Sequence, residues 1–258
     1  MFISRVPSPR LPIELCEAVF NHLHEIYDKT TLFACSLTCK AFLPACRYRI
    51  FRCVSLGPRT SKRFLQTISS TNLPSDPAAY VRHLSLGARP SLNEALPFLA
   101  TRLLWVTELH IHSLKWGQLD DAARTAIVIG FQNVTNLAIY ASKFGTSGQL
   151  VQLIRTFPSL TDLEFYGLGI LPCPDGSPDS LLPLNLRAII LECSHSMLFY
   201  WLLGLESQHA VHSITFQYNI RPEHLQGAGM LLKRLGSNLE HLSLAYRRSA
   251  IFLDCLVA

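Results

Sequence analysis

The chain has 258 residues, of which 49% are hydrophobic and 16% are charged. This composition supplies enough apolar side chains for a sizeable core and excludes an intrinsically disordered chain. The first residues lack the apolar segment of a signal peptide, and the longest nearly uncharged apolar run, 197–205, is far shorter than the roughly 20 residues that span a bilayer. We therefore expect no membrane partner, a location in the cytoplasm, the nucleus or both, and cysteines that stay reduced.

The net charge of +5 is concentrated in one part of the chain. Eight basic residues and no acidic residue lie between Lys29 and Ser75, so the remainder is slightly acidic. A basic stretch can contact nucleic acid, and a nucleic-acid-binding function for residues 29–63 is one hypothesis. This stretch lacks the clustered runs and interleaved aromatic residues of a dedicated nucleic-acid module, so we favour this hypothesis less than the two developed below.

A first helix is predicted soon after a short tail at 1–10. Pro12 suits the first turn of a helix, and Leu15, Val19 and Leu23 follow at a spacing of four, which places them on one stripe.

Two more helices are predicted before residue 51. Thr30 or Thr31 is expected to cap the second, over Leu32 to Thr38, and Pro44 to start or kink the third, which runs towards Ile50. About 40 residues are too few for an independently stable domain. The apolar faces of this segment must therefore pack against the rest of the chain, against a partner, or against both.

From residue 51 onward, one apolar pattern recurs eight times with two residues and then one residue between its apolar positions. The units are Phe51/Val54/Leu56, Val81/Leu84/Leu86, Val106/Leu109/Ile111, Val134/Leu137/Ile139, Leu160/Leu163/Phe165, Leu186/Ile189/Leu191, Val211/Ile214/Phe216 and Leu239/Leu242/Leu244. Their first positions are separated by 30, 25, 28, 26, 26, 25 and 28 residues. The residue between the last two apolar positions is polar in six units, which is the alternation of a half-buried strand.

Segments with helical apolar spacing separate these predicted strands. The interval 171–185 is the exception, since its four prolines predict an irregular loop. One strand and one helix cannot bury their apolar faces alone, so successive units must stack, with their strands side by side in a parallel sheet. The sequence therefore predicts an α/β solenoid over 51–258 whose last repeat is incomplete. At its end, Ile251, Phe252, Leu253, Leu256 and Val257 are expected either to fold back over the last strand or to belong to a truncated unit.

The repeating units resemble the leucine-rich-repeat family in its longer, helix-containing form. The segment 11–51 resembles an F-box in three stretches, namely Leu11-Pro12-Ile13-Glu14-Leu15, then Cys35-Ser36-Leu37-Thr38-Cys39-Lys40, and Arg47 with Ile50 and Phe51. This resemblance implies docking on a Skp-type adaptor of a cullin-RING (SCF-type) ubiquitin ligase, with the repeats holding a protein substrate. The implied adaptor-binding residues are Leu11, Pro12, Ile13, Leu15 and Val19. The alternative is a repeat-based scaffold in which the segment only seals one end.

Several groups of residues are of types that can bind metal ions or catalyse proton transfer. Cys35, Cys39, Cys46 and Cys53 lack the spacing of a zinc knuckle and fit buried small hydrophobes better. His110 with His112, and Asp162 with Glu164, share strand faces, and a polar sheet face explains both pairs more simply than ligation or acid–base catalysis. We therefore predict no catalytic residue, no metal site and no cofactor.

The repeat register predicts which side chains face away from the helices, on the concave side of the sheet. Its central part is expected to bind substrate through Glu108, His110, His112, Tyr140, Asp162, Glu164, Tyr166, Glu192 and Gln217. Tyrosines among carboxylates suit a basic protein segment, because the rings supply contact area and the carboxylates select Lys or Arg. An ordinary solvated sheet face is the alternative.

Overall fold

The computed structural model describes residues 12–23, 28–57, 60–70, 76–87, 92–170, 185–192, 202–203, 211–217 and 222–245. The predicted tail at 1–10, nearly all of the predicted loop at 171–185 and the apolar residues after 250 lie outside the described residues.

Three helices form the amino-terminal unit, namely α1 (Ile13–His22), α2 (Lys29–Thr38) and α3 (Leu43–Arg52). A small separate core holds them together through five buried residues, Cys16, Phe20, Leu32, Cys46 and Ile50. As predicted, Pro44 lies in the first turn of α3. The prediction for α2 was wrong at its start, because the helix begins at Lys29 rather than after a threonine cap. The Lys29 ammonium donates to the Cys53 carbonyl oxygen at 3.1 Å, which ties the start of α2 to the residue that follows α3.

The remainder of the described chain is built on strands. They are β1 (Cys53–Leu56), β2 (His83–Gly87), β3 (Glu108–His112), β4 (Asn136–Tyr140), β5 (Lys143–Phe144), β6 (Asp162–Tyr166), β7 (Gly169–Ile170), β8 (Ala188–Glu192), β9 (Ser213–Gln217) and β10 (His241–Ala245). Eight of them form one sheet in the order β1-β2-β3-β4-β6-β8-β9-β10, and β5 pairs separately with β7. All of these pairings are parallel.

The register of the large sheet follows the spacing found in the sequence. Cys53 pairs with His83, His83 with Glu108, and Glu108 with Asn136, and the series continues to the pairing of Ser213 with His241. The paired residues are separated by 30, 25, 28, 26, 26, 25 and 28 positions, which are the predicted separations of the eight units. The eight predicted strands and an α/β fold with a parallel sheet are thereby confirmed.

Five helices with described bounds lie between the strands, namely α4 (Thr60–Ser69), α5 (Leu92–Arg102), α6 (Asp121–Gly130), α7 (Ser147–Arg155) and α8 (Pro222–Leu235). Side-chain caps start two of them, since Asp120 accepts from the Ala123 amide at 2.7 Å and Thr146 from the Gln149 amide at 3.3 Å. No helix in the described part of the chain is both long and apolar enough to cross a membrane.

Helices α5 and α6 approach closely at a glycine. A Cβ atom built on Gly130 would lie 2.3 Å from the Cβ atom and 2.7 Å from the Cα atom of Ala100, so only glycine fits at this position. The apolar spacing of the sequence predicts Leu225, Gly229, Leu232 and Leu235 on one face of α8. In the structure Leu225 is 56% exposed, whereas Ala228, Leu231 and Leu235 are buried, so only the end of the predicted face is confirmed.

The same backbone hydrogen bonds recur at the start of successive strands. The carbonyl oxygen of Thr107 accepts from the amides of Thr135 and Asn136, and that of Thr135 accepts from Thr161 and Asp162. Equivalent pairs of bonds extend from the carbonyl of Arg82 to that of His212. Each unit is therefore hydrogen-bonded to the next at one fixed position.

The turns after the central strands are also alike. Ser113, Ala141 and Gly167 directly follow β3, β4 and β6, and their φ angles are 54°, 47° and 58°. The buried Ser142 hydroxyl donates to the Tyr140 carbonyl oxygen and accepts from the Leu114 amide at 3.1 Å. One side chain thus joins the turns of two neighbouring units.

Alternate strand residues divide the sheet into two faces. The apolar residues of each unit are buried in one large core with the inner faces of the helices, up to β9. On β10, Leu242 and Leu244 are 50% and 68% exposed. At the other end, α3 packs beside β1, and Phe51 contacts both the large core and the small amino-terminal core.

Candidate functional site

The predicted substrate-binding side chains lie together on the face of the sheet opposite the core. We call this surface the polar sheet face and define it by His83, Glu108, His110, His112, Tyr140, Asp162, Glu164, Tyr166, Glu192 and Gln217. Each of these residues is half-buried, whereas the apolar residues between them are buried. Ala138, which lies on the same face of β4 as Asn136 and Tyr140, is only 2% exposed because larger neighbouring side chains cover it.

Three aromatic rings form a continuous stack along one edge of the polar sheet face. His112, Tyr140 and Tyr166 are register partners on β3, β4 and β6. The ring centroids of His112 and Tyr140 are 4.4 Å apart and those of Tyr140 and Tyr166 are 4.6 Å apart, with interplanar angles of 3° in both pairs. Since the rings cover one another's faces, a ligand meets their edges and the outer faces at the ends of the stack.

A hydrogen-bonded network continues from the end of this stack. The Tyr166 hydroxyl donates to Glu164 Oε2 at 3.0 Å and accepts from Gln217 Nε2 at 3.3 Å, across the intervening strand β8. Burial raises the pKa of Glu164 above its ordinary value, with a smaller opposing effect from the Tyr166 hydrogen bond. Burial, followed by the charge of Glu164, also raises the pKa of Tyr166, which therefore stays protonated as the donor.

Two further carboxylates border this network. Asp162 Oδ2 accepts from the Thr161 hydroxyl at 2.6 Å, which fixes the orientation of the carboxylate. Glu192 lies beside Gln217 in the register of β8 and β9. The central part of the polar sheet face therefore combines acidic groups with aromatic edges.

A second cluster lies on β2 and β3. His83 Nδ1 and Glu108 Oε2 are 3.1 Å apart, and the ring centroids of His83 and His110 are 4.1 Å apart in an edge-to-face arrangement. Burial, with smaller effects of His83 and His112, lowers the pKa of His110 to about 3. Burial also lowers the pKa of His112. Both imidazoles are therefore neutral at physiological pH.

The amino-terminal unit presents apolar side chains to solvent. We call Leu15 and Val19 of α1 with Phe33 and Leu37 of α2 the outer apolar surface; they are 54%, 58%, 52% and 87% exposed. Leu15 and Val19 of the predicted stripe thus face outward, whereas Leu23, its third member, packs against the small core that contains Cys16 and Phe20.

The other predicted adaptor-binding residues are only partly described. Pro12 is exposed and precedes α1, and Ile13 is its first residue. Leu11 lies outside the described residues.

The basic stretch makes several contacts within the chain. Burial lowers the pKa of Lys29, which bonds to the Cys53 carbonyl oxygen, and Arg49 donates to the Asn21 side chain. The Arg52 guanidinium lies 5.9 Å from the centroid of the Tyr48 ring. These three basic side chains stabilise the amino-terminal unit and its junction with the sheet.

The four cysteines considered for zinc lie in the same unit. Cys46 is buried, and Cys35, Cys39 and Cys53 are half-buried; all four carry free thiols. Burial raises the pKa of the Cys46 thiol, which favours the neutral form typical of a buried small hydrophobe.

Sequence reasoning missed two features of these surfaces. It paired His110 with His112 along one strand, whereas the structure brings His110 together with His83 and Glu108 across two strands. The signal was present in the spacing of 25 residues, which makes His83 and Glu108 register partners. Phe33 was also omitted from the predicted contact residues.

Comparisons with known proteins add no further identification. No protein-family model matches the chain, and no significantly similar sequence was found among curated proteins.

Proposed function

We propose that this chain is the non-catalytic substrate-recognition subunit of a cullin-RING (SCF-type) ubiquitin ligase, active in the cytoplasm, the nucleus or both. In this proposal the F-box-like segment 11–51 binds a Skp-type adaptor, and the units after residue 51 hold a protein substrate. The observation that carries it is that the predicted contact residues Leu15 and Val19 face solvent, although their helix has an apolar core of its own.

The outer apolar surface supports a docking role on energetic grounds. Large exposed apolar side chains on short helices gain free energy when a partner helix covers them, at about 25 cal/mol per Å² removed from water. Among the described residues, the amino-terminal unit contacts the sheet through α3 and Lys29, while Leu15 and Val19 remain exposed. Docking therefore requires no opening of the fold.

We further infer that the sheet and its helices form a leucine-rich-repeat-like solenoid. The constant register, the repeated carbonyl bonds before each strand and the similar turns after β3, β4 and β6 support this inference. Repeats of this kind build extended binding surfaces from equivalent positions of successive units. The polar sheet face is the surface that such an architecture offers to a substrate.

The substrate is proposed to be a basic protein segment that lies across the centre of this face. Asp162, Glu164 and Glu192 supply the acidic groups, and the edges of Tyr140 and Tyr166 supply contact area. Because stacking covers most of the ring faces, the carboxylates rather than cation–π contacts select Lys or Arg here.

Co-expression with a Skp-type adaptor tests the docking half of the proposal. We expect stoichiometric recovery of the adaptor with the wild-type chain and its loss for a Leu15→Ser, Val19→Ser variant. Ile129→Ser is the matched control, because Ile129 is 67% exposed on α6 and should leave recovery unchanged. Undiminished recovery with the double variant would contradict the assigned surface. Failure of the wild-type chain to bind would favour a scaffold in which the segment only seals one end.

The substrate half is tested by changing Tyr140, Asp162, Glu164 and Tyr166 together to Ala. The folded variant should lose capture of the native partner and of Lys/Arg-rich peptides, whereas charge-inverted peptides should not bind either protein. A control variant removes the exposed carboxylates Glu94 and Asp121 on the helices instead. Unchanged capture by the quadruple variant would overturn the assignment, and salt-sensitive retention on nucleic acid would favour the nucleic-acid alternative.

A further inference from the structure

Three metal-type side chains converge on strands β2 and β3. His83 and Glu108 are direct register partners, and His110 lies two positions after Glu108 on the same face. One nitrogen from each imidazole and one oxygen from the carboxylate all lie within 4.8 Å of one another. The three residues come from adjacent central strands, so the sheet fixes their backbones relative to one another.

The distances are close to those around a single bound ion. Zn²⁺ binds imidazole nitrogen and carboxylate oxygen at about 2.0–2.2 Å, so donors around one tetrahedral ion lie roughly 3.3–3.5 Å apart. The separation of 3.1 Å between His83 Nδ1 and Glu108 Oε2 is slightly shorter than this, as expected for two atoms that share a hydrogen bond rather than an ion. The His110 donor nitrogen lies within 4.8 Å of both of these atoms, so ligation of one ion by all three residues requires a change in the side-chain torsions of His110.

We propose that His83, Glu108 and His110 form a binding site for a divalent transition-metal ion of the zinc class. Two imidazoles and one carboxylate suit this class, whereas calcium and magnesium prefer sites made entirely of oxygen ligands. His112 is not the fourth ligand, because its ring stacks on Tyr140 and its centroid lies 6.3 Å from that of His110. Three protein ligands leave the fourth position of a tetrahedral ion to water or to another donor.

The open position faces the same side of the sheet as the proposed substrate surface. Glu108 is 44% exposed at its side chain, so a donor atom from water or from a bound protein can reach the ion. The metal site does not depend on the proposed ligase role, because it needs only the register of β2 and β3 and the side chains of the three residues.

Zinc titration of the full chain, followed by calorimetry, tests the site. We expect binding of one Zn²⁺ and a loss of affinity of more than about 10- to 100-fold for His83→Asn, Glu108→Gln and His110→Asn, since removing even an outer-sphere partner has an effect of that size. The matched control combines His212→Asn and Glu240→Gln, a second histidine–glutamate pair whose atoms are 4.0 Å apart. This control should keep the wild-type affinity.

The eight cysteines require a readout of ligand type. X-ray absorption of the zinc-loaded chain should show nitrogen and oxygen neighbours only, and Co²⁺ should give a tetrahedral spectrum without thiolate charge transfer. Zinc should raise the melting temperature of the wild-type chain but not of Glu108→Gln, whose amide can still bond to His83 and preserve the fold. Sulfur ligation, unchanged affinity in all three variants, or no zinc binding would overturn the proposal and leave an ordinary histidine–glutamate hydrogen bond.

Discussion

Helix α1 provides a sharp energetic test because its two faces differ so strongly in burial. Phe20 is 3% exposed and belongs to the small core, whereas Leu15 is 54% exposed on the outer apolar surface. Phe20→Ala should therefore destabilise the amino-terminal unit severely, and Leu15→Ala should hardly affect it.

The magnitudes follow from the contacts of each side chain. Truncation of a buried Phe to Ala costs about 3–5 kcal/mol. The edge-to-face contact of Phe20 with Phe42, at 5.3 Å, contributes roughly another 0.5–1.5 kcal/mol. Complete burial of a Leu side chain contributes about 1.5–3 kcal/mol, so truncation of Leu15, which is 54% exposed, loses at most about 0.7–1.4 kcal/mol. The higher helix propensity of Ala offsets part of that loss.

Hydrogen exchange of the free chain, measured on peptides from 13–52 and from the sheet, separates local from global effects. Phe20→Ala should remove protection from α1, α2 and α3 while the central strands keep theirs. Leu15→Ala should preserve protection everywhere. An equal loss of protection in both variants would refute the reasoning, because it would mean that Leu15 is covered within the chain and is not free to bind a partner.

Three further predictions concern the sheet and its helices. Gly130→Ala should destabilise the chain by about 1–3 kcal/mol in urea unfolding, because its Cβ would overlap the facing helix. Gly229→Ala, which has open space around its Cβ position, should instead stabilise the chain by about 0.5–1 kcal/mol. Equal effects of the two substitutions would contradict the packing of α5 against α6. Ser142→Ala should cost about 1–3 kcal/mol in the same assay, because it leaves the buried Leu114 amide without its acceptor, and a neutral effect would count against that bond. Because the pKa of Glu164 is raised in the folded state, its contribution to the free energy of unfolding is fully present below about pH 4.5 and is lost as the pH rises through the folded-state pKa. Glu164→Gln should therefore gain stability relative to wild type as the pH rises from 4 to 7. A difference in unfolding free energy that stays constant over this range would contradict the raised pKa.

Much of the sheet could be predicted because its signal is periodic. A slip of one residue would turn Leu109 and Ile111 outward and His110 into the core, so the alternation alone fixes which side of each strand is buried. The unit spacing then fixes the register, and the polar sheet face follows from both.

Other features depend on contacts that no local pattern encodes. The first residue of α2, Lys29, bonds to the distant Cys53 carbonyl oxygen, and the buried face of α8 includes Ala228 and Leu231 rather than Leu225. The cluster of His83, Glu108 and His110 becomes visible only when two strands are placed side by side. The stacking of His112 on Tyr140 likewise depends on the side-chain conformations of residues on two different strands, which the sequence pattern does not specify.

In the proposed function, the outer apolar surface binds a Skp-type adaptor while the polar sheet face stays available for substrate. Hydrogen exchange of the purified chain, with and without a purified adaptor, tests it most directly. We expect the adaptor to increase protection in α1 and α2 and to leave β3, β4 and β6 unchanged. When Leu15 and Val19 are both changed to Ser, adding the adaptor should increase protection nowhere. An unchanged exchange pattern of the wild-type chain, or protection confined to the sheet, would contradict it.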